Sequence, residues 1–184
     1  MDCKESALDG TRKYLFGLAD GNVVESVFMR YHHGNSVCIS SQVGCRMGCH
    51  RARIPYSPLL RDCKRKIFPY IFPGVQGKYS SSHQNCHKVF YGATHRSGRR
   101  EIPSPHNVVV MGTGEPFDNY DNLIRFLKMI SDDRGLNISG RNVTVSTCGI
   151  VPRIRQFGGE GLTCNLALSL HAPNSEVPCQ PAQS

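Results

Sequence analysis

A closely spaced pair of cysteines is the part of the sequence best suited to chemistry. Cys45 and Cys49 are separated by three residues, at the end of the run Cys38-Ile-Ser-Ser-Gln-Val-Gly-Cys45-Arg-Met-Gly-Cys49. This spacing allows two thiolates to bind one metal centre, although a bare pair of this kind is more often two unrelated buried thiols. The chain has nine cysteines, an odd number, and its first twenty residues contain no apolar leader. Both features favour metal binding or thiol chemistry over a disulfide framework.

Three further motifs lie where predicted strands end. They are Gly112-Thr113-Gly114-Glu115-Pro116, Val145-Ser146-Thr147-Cys148-Gly149 and Ser169-Leu170-His171-Ala172-Pro173-Asn174. Glycine lets the backbone approach a ligand closely, and a carboxylate can accept hydrogen bonds from an ammonium group. Taken singly, each motif would be an ordinary turn or a capping polar residue. Because the carboxyl ends of parallel strands form the active face of α/β barrels, the three motifs are predicted to converge on one rim.

The elements that must position these residues fall into two regular stretches. In the first, β-rich runs separated by the turn signals Asp20-Gly21-Asn22 and His33-Gly34-Asn35 predict strands, the first two forming a hairpin, over Thr11–Gly17, Asn22–Met29 and Ser36–Val43. In the second, strands alternate with helices as strand Asn107–Met111, helix Asn119–Ser131, strand Asn142–Ser146, helix Ile150–Phe157 and strand Leu162–Leu170. This alternation predicts a parallel α/β architecture.

Residues 50–106 fit neither pattern. They contain eleven Lys or Arg and two acids, a net charge of +9, whereas the other residues together have a net charge of −1. Their proline-rich sequence keeps neither periodicity for more than a few residues, and so long a stretch without secondary structure is uncommon inside a compact domain. The overall charge of +8, which would otherwise indicate a nucleic-acid partner, therefore depends on one segment.

Two stretches closely resemble one branch of the radical S-adenosylmethionine enzymes, the RNA adenine C2 methyltransferases of the RlmN and Cfr types. They are VCISSQVGCRMGC at 37–49 and VVVMGTGEPFDNYDNL at 108–123. The match covers roughly residues 9–49 and 106–176, and family members are considerably longer. The resemblance implies an α/β fold, an incomplete radical-SAM partial barrel of the (β/α)6 type with an N-terminal β-hairpin extension. Residues 1–49 would hold the hairpin, the first barrel strand and the start of the cluster loop. Residues 50–106 would be irregular, 107–176 would form a βαβαβ part of the core, and 177–184 an anomalous tail.

The resemblance also implies two cofactors. Cys45 and Cys49 would provide two of the three thiolates that hold a 4Fe-4S cluster, whose open iron binds S-adenosylmethionine. The third ligand is expected at position 52, where this chain has Ala52, which cannot bind iron. The residues implied to line the S-adenosylmethionine site are Gly114, Glu115, Ser146, Ser169, Leu170 and His171.

Two further residues and several partners follow from the same resemblance. Glu25 matches the family's proton acceptor, and Cys38 matches the cysteine that helps to resolve an RNA-linked intermediate. Taken alone, they would be an exposed hairpin carboxylate and a buried strand thiol. The implied substrate is 23S rRNA, and possibly tRNA, with an electron donor such as flavodoxin. No membrane segment and a cytoplasmic location are predicted, since no apolar run approaches the ~20 residues that a membrane helix needs.

The family pattern breaks off abruptly, which suggests a damaged gene. We expect residues 51–105 and 177–184 to be frameshift products in a truncated copy that is itself inactive, and exposed barrel edges to make it poorly soluble. Two alternatives remain open at this stage. One is a basic RNA-binding module built on residues 50–106, and the other is a zinc-binding protein that uses Cys45, Cys49 and nearby Cys or His.

Overall fold

The computed structural model describes residues 2–17, 23–45, 105–133 and 136–170. The predictions for residues 50–104, for the tail 177–184 and for Cys49, Ala52 and His171 therefore lie outside the described residues. No helix in the described ranges is long and apolar enough to cross a membrane.

The described strands form one mixed sheet. In chain order they are β1 (Asp2–Glu5), β2 (Arg12–Gly17), β3 (Val23–Met29), β4 (Ser36–Ile39), β5 (Asn107–Val110), β6 (Val143–Thr147) and β7 (Asn165–Leu168). Each strand pairs with its neighbours in sequence, so the order across the sheet is the order along the chain. Strands β1 to β4 pair antiparallel, and β4 to β7 pair parallel. This is the predicted hairpin extension joined to a parallel α/β core.

Two helices follow parallel strands, as the alternating pattern predicts. A 3-10 turn at Pro116–Asn119 leads into α1 (Tyr120–Ile130), and α2 (Val151–Gly158) follows β6. A short 3-10 turn at Gly140–Asn142 precedes β6. The buried residues of α1 recur at helical spacing, which gives the helix one apolar side: Tyr120, Leu123, Ile124, Phe126, Leu127 and Ile130.

The two faces of the sheet differ in burial because side chains alternate along each strand. On β3, Val24, Ser26 and Phe28 are buried, whereas the residues between them are only half-buried. The buried face joins the helices in a single apolar cluster that includes Phe28, Val108, Val143 and, from α1, Phe126. The other face carries Glu25 and Cys38 and is more open.

Three boundaries differ from the predictions. The strand predicted over Ser36–Val43 ends at Ile39, because the backbone N–H groups of Ser41 and Gln42 turn away to donate to the carbonyl of Thr113. The strand predicted over Leu162–Leu170 spans Asn165–Leu168, where its pairing with β6 begins and ends. Strand β1 was not predicted, since it is short and fully exposed and has no alternating pattern.

Candidate active site at the carboxyl ends of the parallel strands

Glu115 links the carboxyl ends of two neighbouring strands. Its side chain is buried, and one carboxylate oxygen accepts hydrogen bonds from Phe117 N (3.0 Å) and Thr147 Oγ1 (2.8 Å). The other carboxylate oxygen accepts a hydrogen bond from Cys148 N (2.8 Å). A buried carboxylate is tolerated only when its oxygens are satisfied in this way. Most of the acceptor capacity of Glu115 is thus used within the protein, while its predicted contact with a cofactor stays a prediction.

The glycines before Glu115 admit a neighbouring loop of the same chain. A Cβ atom on Gly112 would lie 2.7 Å from Ser40 Oγ and 2.8 Å from the Ile39 carbonyl carbon. One on Gly114, whose φ is +108°, would lie 2.5 Å from Ser41 Oγ and 2.7 Å from Gln42 N. Packing against residues 39–42 therefore accounts for both glycines. The prediction that Gly114 also binds a cofactor is neither supported nor opposed by these contacts.

The loop from residue 40 to residue 45, called loop 40–45 here, carries Cys45 to this rim. Ser40 is fully buried, and its hydroxyl donates to the carbonyl of Glu25 (2.8 Å) and accepts from Thr113 N (3.1 Å). Gln42 is also buried; its Oε1 accepts from Glu115 N (2.9 Å). These bonds fasten the loop to β3 on one side and to the end of β5 on the other. The sequence analysis did not single out Gln42, although it lies inside the family-like run.

Cys148 also lies at this rim, next to the predicted cluster ligand. Its thiol is exposed, yet its pKa is raised to about 11 by partial burial, then by the carboxylate of Glu115, with which it hydrogen-bonds, and by the nearby thiol of Cys45. Cys45 itself is half-buried. On the sequence alone Cys148 had no expected role, because nothing in the spacing relates it to Cys45.

Two of the predicted serines meet at the adjoining strand ends. The hydroxyls of Ser146 and Ser169 are 3.0 Å apart and lie on the surface. Leu170, the next residue, is 67 % exposed. His171 and Cys49 lie outside the described residues, so their predicted places on this rim are not tested.

The open face of the sheet brings Glu25 and Cys38 together. Glu25 and Val27 alternate on the same face of β3, and Val27 is the Cα partner of Cys38 on β4. Burial raises the pKa of the Cys38 thiol, the carboxylate of Glu25 raises it further, and a backbone hydrogen bond at Met111 partly offsets both. Lys13 of β2, which the sequence analysis missed, forms an ion pair with Glu25, with Nζ and Oε2 2.5 Å apart.

The implied cofactors can be compared with the donors on this rim. Cys45 offers a half-buried thiol, the ligand type that holds iron–sulfur clusters, and the Ser146 and Ser169 hydroxyls are accessible beside it. Within the four described ranges, no three His, Cys, Asp or Glu side chains are arranged to bind a metal ion. Cys45 is the one predicted cluster ligand in those ranges. The rim therefore fits a cluster in the kind of donor it presents, with Cys45 as the residue that would hold it.

Known proteins with similar sequences carry one description. A probable dual-specificity RNA methyltransferase RlmN of Lachnoclostridium phytofermentans is 53 % identical over 172 residues, which cover 94 % of this chain and 42 % of that protein. A protein of the same description from Lachnospira eligens is 50 % identical over 175 residues, covering 95 % of this chain and 43 % of that protein. No family model matches the chain.

A solved structure shows the same relationship. The crystal structure of a radical SAM methyltransferase from Sphaerobacter thermophilus matches with a TM-score of 0.67 and 32 % sequence identity, over 95 % of this chain and 46 % of that one. The chain belongs with the radical SAM RNA methyltransferases. It spans less than half the length of the relatives quoted above. The predicted family and the predicted α/β partial barrel are therefore confirmed, and the family consists of enzymes. The aligned stretch covers so much of the chain that it also runs across residues 50–106.

Proposed function

We propose that this chain carries the cofactor rim and part of the RNA-facing surface of a radical SAM enzyme that methylates C2 of an adenine in RNA. The observation that carries the proposal is the arrangement of the sheet. Glu25 and Cys38 share its open face, and Cys45 lies with Ser146 and Ser169 along the adjoining strand ends. The RNA would be 23S rRNA or tRNA, the electron donor a flavodoxin-like protein, and the location cytoplasmic.

The residues of the rim would act as follows. Cys45 and Cys49 would hold a 4Fe-4S cluster, and Glu115, Gly114, Ser146, Ser169, Leu170 and His171 would surround S-adenosylmethionine. The bound cluster would supply the electron that cleaves S-adenosylmethionine, which is needed because adenine C2 is electron-poor. At the substrate, the carboxylate of Glu25 would accept a proton from the RNA-linked intermediate, and the thiol of Cys38 would help to release the product. Lys13 pairs with the carboxylate that does this work.

We further propose that this particular chain does not complete the reaction. The third cluster ligand of the family falls at Ala52, and alanine offers no donor to iron. The experiment is anaerobic reconstitution with iron and sulfide, with iron per chain and visible absorbance as readouts, followed by mass spectrometry of RNA incubated with S-adenosylmethionine and a reductant. We expect little stable cluster and no 2-methyladenine. Methylated product from the purified chain would contradict the proposal.

A frameshift over residues 51–105 would explain the loss of the ligand. The segment has a net charge of +9 and sits between family-like stretches of nearly neutral sequence. Sequencing the coding DNA and translating it in all three frames tests this directly. We expect another frame to encode an aromatic residue and then cysteine after Cys49. If no frame does so, the segment is genuine, and salt-sensitive RNA binding by its basic residues becomes the leading alternative.

A further inference from the structure

Gln42 is a buried polar side chain that no catalytic or cofactor role accounts for. We propose that it is a positioning residue, which fixes loop 40–45 on the rim and thereby sets the place of the Cys45 thiol. The inference rests on the proposed function only in treating Cys45 as a cluster ligand. The structural claim, that Gln42 holds the loop, stands on the contacts of Gln42 itself.

Both ends of the Gln42 amide are occupied. Its Oε1 accepts a hydrogen bond from Glu115 N at 2.9 Å, and its Nε2 donates to Asp118 Oδ2 at 3.2 Å. Its backbone N–H donates to the Thr113 carbonyl at 3.1 Å. The residue is 2 % exposed, so water cannot replace a lost partner without the loop opening. One side chain thus ties the loop to two points of the segment that follows β5.

The surroundings allow no other seat for this loop. Gly114 has no side chain where Gln42 and Ser41 pack against it, and the Asn119 amide donates to the Ser41 carbonyl at 3.0 Å. Cys45 follows Gln42 by three residues, at most about 10 Å of extended chain. A shift of Gln42 is therefore passed to the thiol within a short length of backbone. Because Glu115 also binds Cys148 N, the same contacts hold the second thiol of the rim.

The test uses the accessibility of Cys45 in the full chain at one fixed pH. Alkylation by iodoacetamide is followed at each cysteine by peptide mass spectrometry, with Cys164, half-buried beside the Gly140 turn, as the internal reference. Gln42→Ala removes both amide contacts and should speed alkylation of Cys45 at least fivefold while leaving Cys164 unchanged. The matched control is Gln156→Ala, an exposed glutamine on α2, which should leave both rates unchanged.

A pair of exchanges separates positioning from a general loss of packing. Gln42→Glu places an oxygen against the Asp118 carboxylate and should speed Cys45 alkylation as Gln42→Ala does. Adding Asp118→Asn restores a donor opposite that oxygen at unchanged net charge, and the rate should return to that of the parent chain. A parent-like rate in Gln42→Ala overturns the proposal, as does a double variant that stays as fast as Gln42→Glu. If Gln42→Ala loosens the whole fold and Cys164 also reacts faster, the exchange pair decides.

The result is separable from that of the cluster experiment. If the parent chain fails to bind iron but the alkylation pattern holds, the proposed function is contradicted and Gln42 still positions the loop. If iron binds and Gln42→Ala leaves Cys45 alkylation unchanged, the function stands and the role of Gln42 is refuted.

Discussion

At the scale of single residues, the rim shows how one carboxylate can be needed twice. Glu115 stands in a motif whose resemblance implies a contact with the cofactor amine, yet in this fold it accepts hydrogen bonds from a backbone N–H on each of two segments and from a threonine hydroxyl. A buried carboxylate costs free energy unless such donors compensate it. Loss of activity on replacing Glu115 would therefore not by itself prove a cofactor contact, because the ends of β5 and β6 would separate as well.

The Cys148 thiol should be unreactive for its exposure. Its pKa of about 11 means that little thiolate is present at pH 8, and the low thiolate fraction outweighs the higher intrinsic nucleophilicity of a basic thiolate. We expect alkylation at pH 8 about tenfold slower in the folded chain than in the same chain unfolded in urea. Glu115→Gln removes the negative charge beside the thiol and should speed the reaction, whereas Cys164 should not change. Peptide mass spectrometry over time gives both rates, and equal rates for Cys148 in the folded and unfolded chains would refute the raised pKa.

Gly114 offers a test of packing against backbone strain. Gly114→Ala adds a Cβ atom 2.5 Å from Ser41 Oγ at a residue with φ of +108°. We expect the free energy of unfolding to fall by about 3 kcal/mol or more, because steric overlap adds to the cost of the conformation. Gly161→Ala is the matched control, since φ there is +67° and nothing lies within 4 Å of the added atom. It should cost only about 1 kcal/mol. Denaturant unfolding measures both, and similar losses would mean that loop 40–45 does not press on Gly114.

The sequence predicted some of these residues and missed others for a physical reason. Ser146 and Ser169 follow strands whose ends must converge, so their meeting was predictable from topology. Gln42, Lys13 and Cys148 owe their importance to contacts across long sequence separations, such as that between Gln42 and Glu115. No local spacing reports such contacts. A buried glutamine inside a cysteine-containing run was the one signal that could have indicated Gln42.

At the scale of elements, periodicity located most of the fold. The alternating burial of β3 and the helical spacing in α1 both arise from one buried face, so the sequence pattern and the structure agree there. The ends of β4 and β7 were predicted too long, because apolar residues continue past the point where ladder bonds stop. Gln42, for example, leaves the ladder to bond Thr113. Strand β1 shows the opposite failure, since pairing with β2 fixes it without burying any of its side chains.

Helix α1 should contribute much of the stability through its apolar side. Phe126 is 1 % exposed and belongs to the cluster that joins the helix to the sheet. Phe126→Ala should lower the free energy of unfolding by about 3–5 kcal/mol, because it removes buried contacts and leaves a cavity. The neighbouring Arg125→Ala changes an exposed side chain of the same helix and should alter it by less than about 0.5 kcal/mol. Thermal unfolding followed by circular dichroism distinguishes them, and an equal effect would place Phe126 outside the core.

At the scale of the whole molecule, the described sheet ends in an apolar border. Leu166 and Leu168 pair with Val145 and Thr147 and so continue the buried face of β6, yet they are 40 % and 54 % exposed. Among the residues that the structure describes, no strand pairs with the outer edge of β7. An open edge next to exposed leucines is a template for association between chains. The poor solubility expected from the sequence thus has a definite location in the fold.

Self-association should therefore respond to a charge on this border and to little else. Leu168→Lys places a cation on the exposed apolar strip, where it opposes edge-to-edge pairing while removing little buried area. We expect sedimentation velocity at several protein concentrations to show fewer large species than for the parent chain, with an unfolding midpoint close to that of the parent. Leu8→Lys is the matched control, because Leu8 is 99 % exposed but lies at the turn between β1 and β2, on the opposite side of the sheet order. If both lysine variants reduce association equally, net charge is the cause. If Leu168→Lys leaves association unchanged, the chains meet through some other surface.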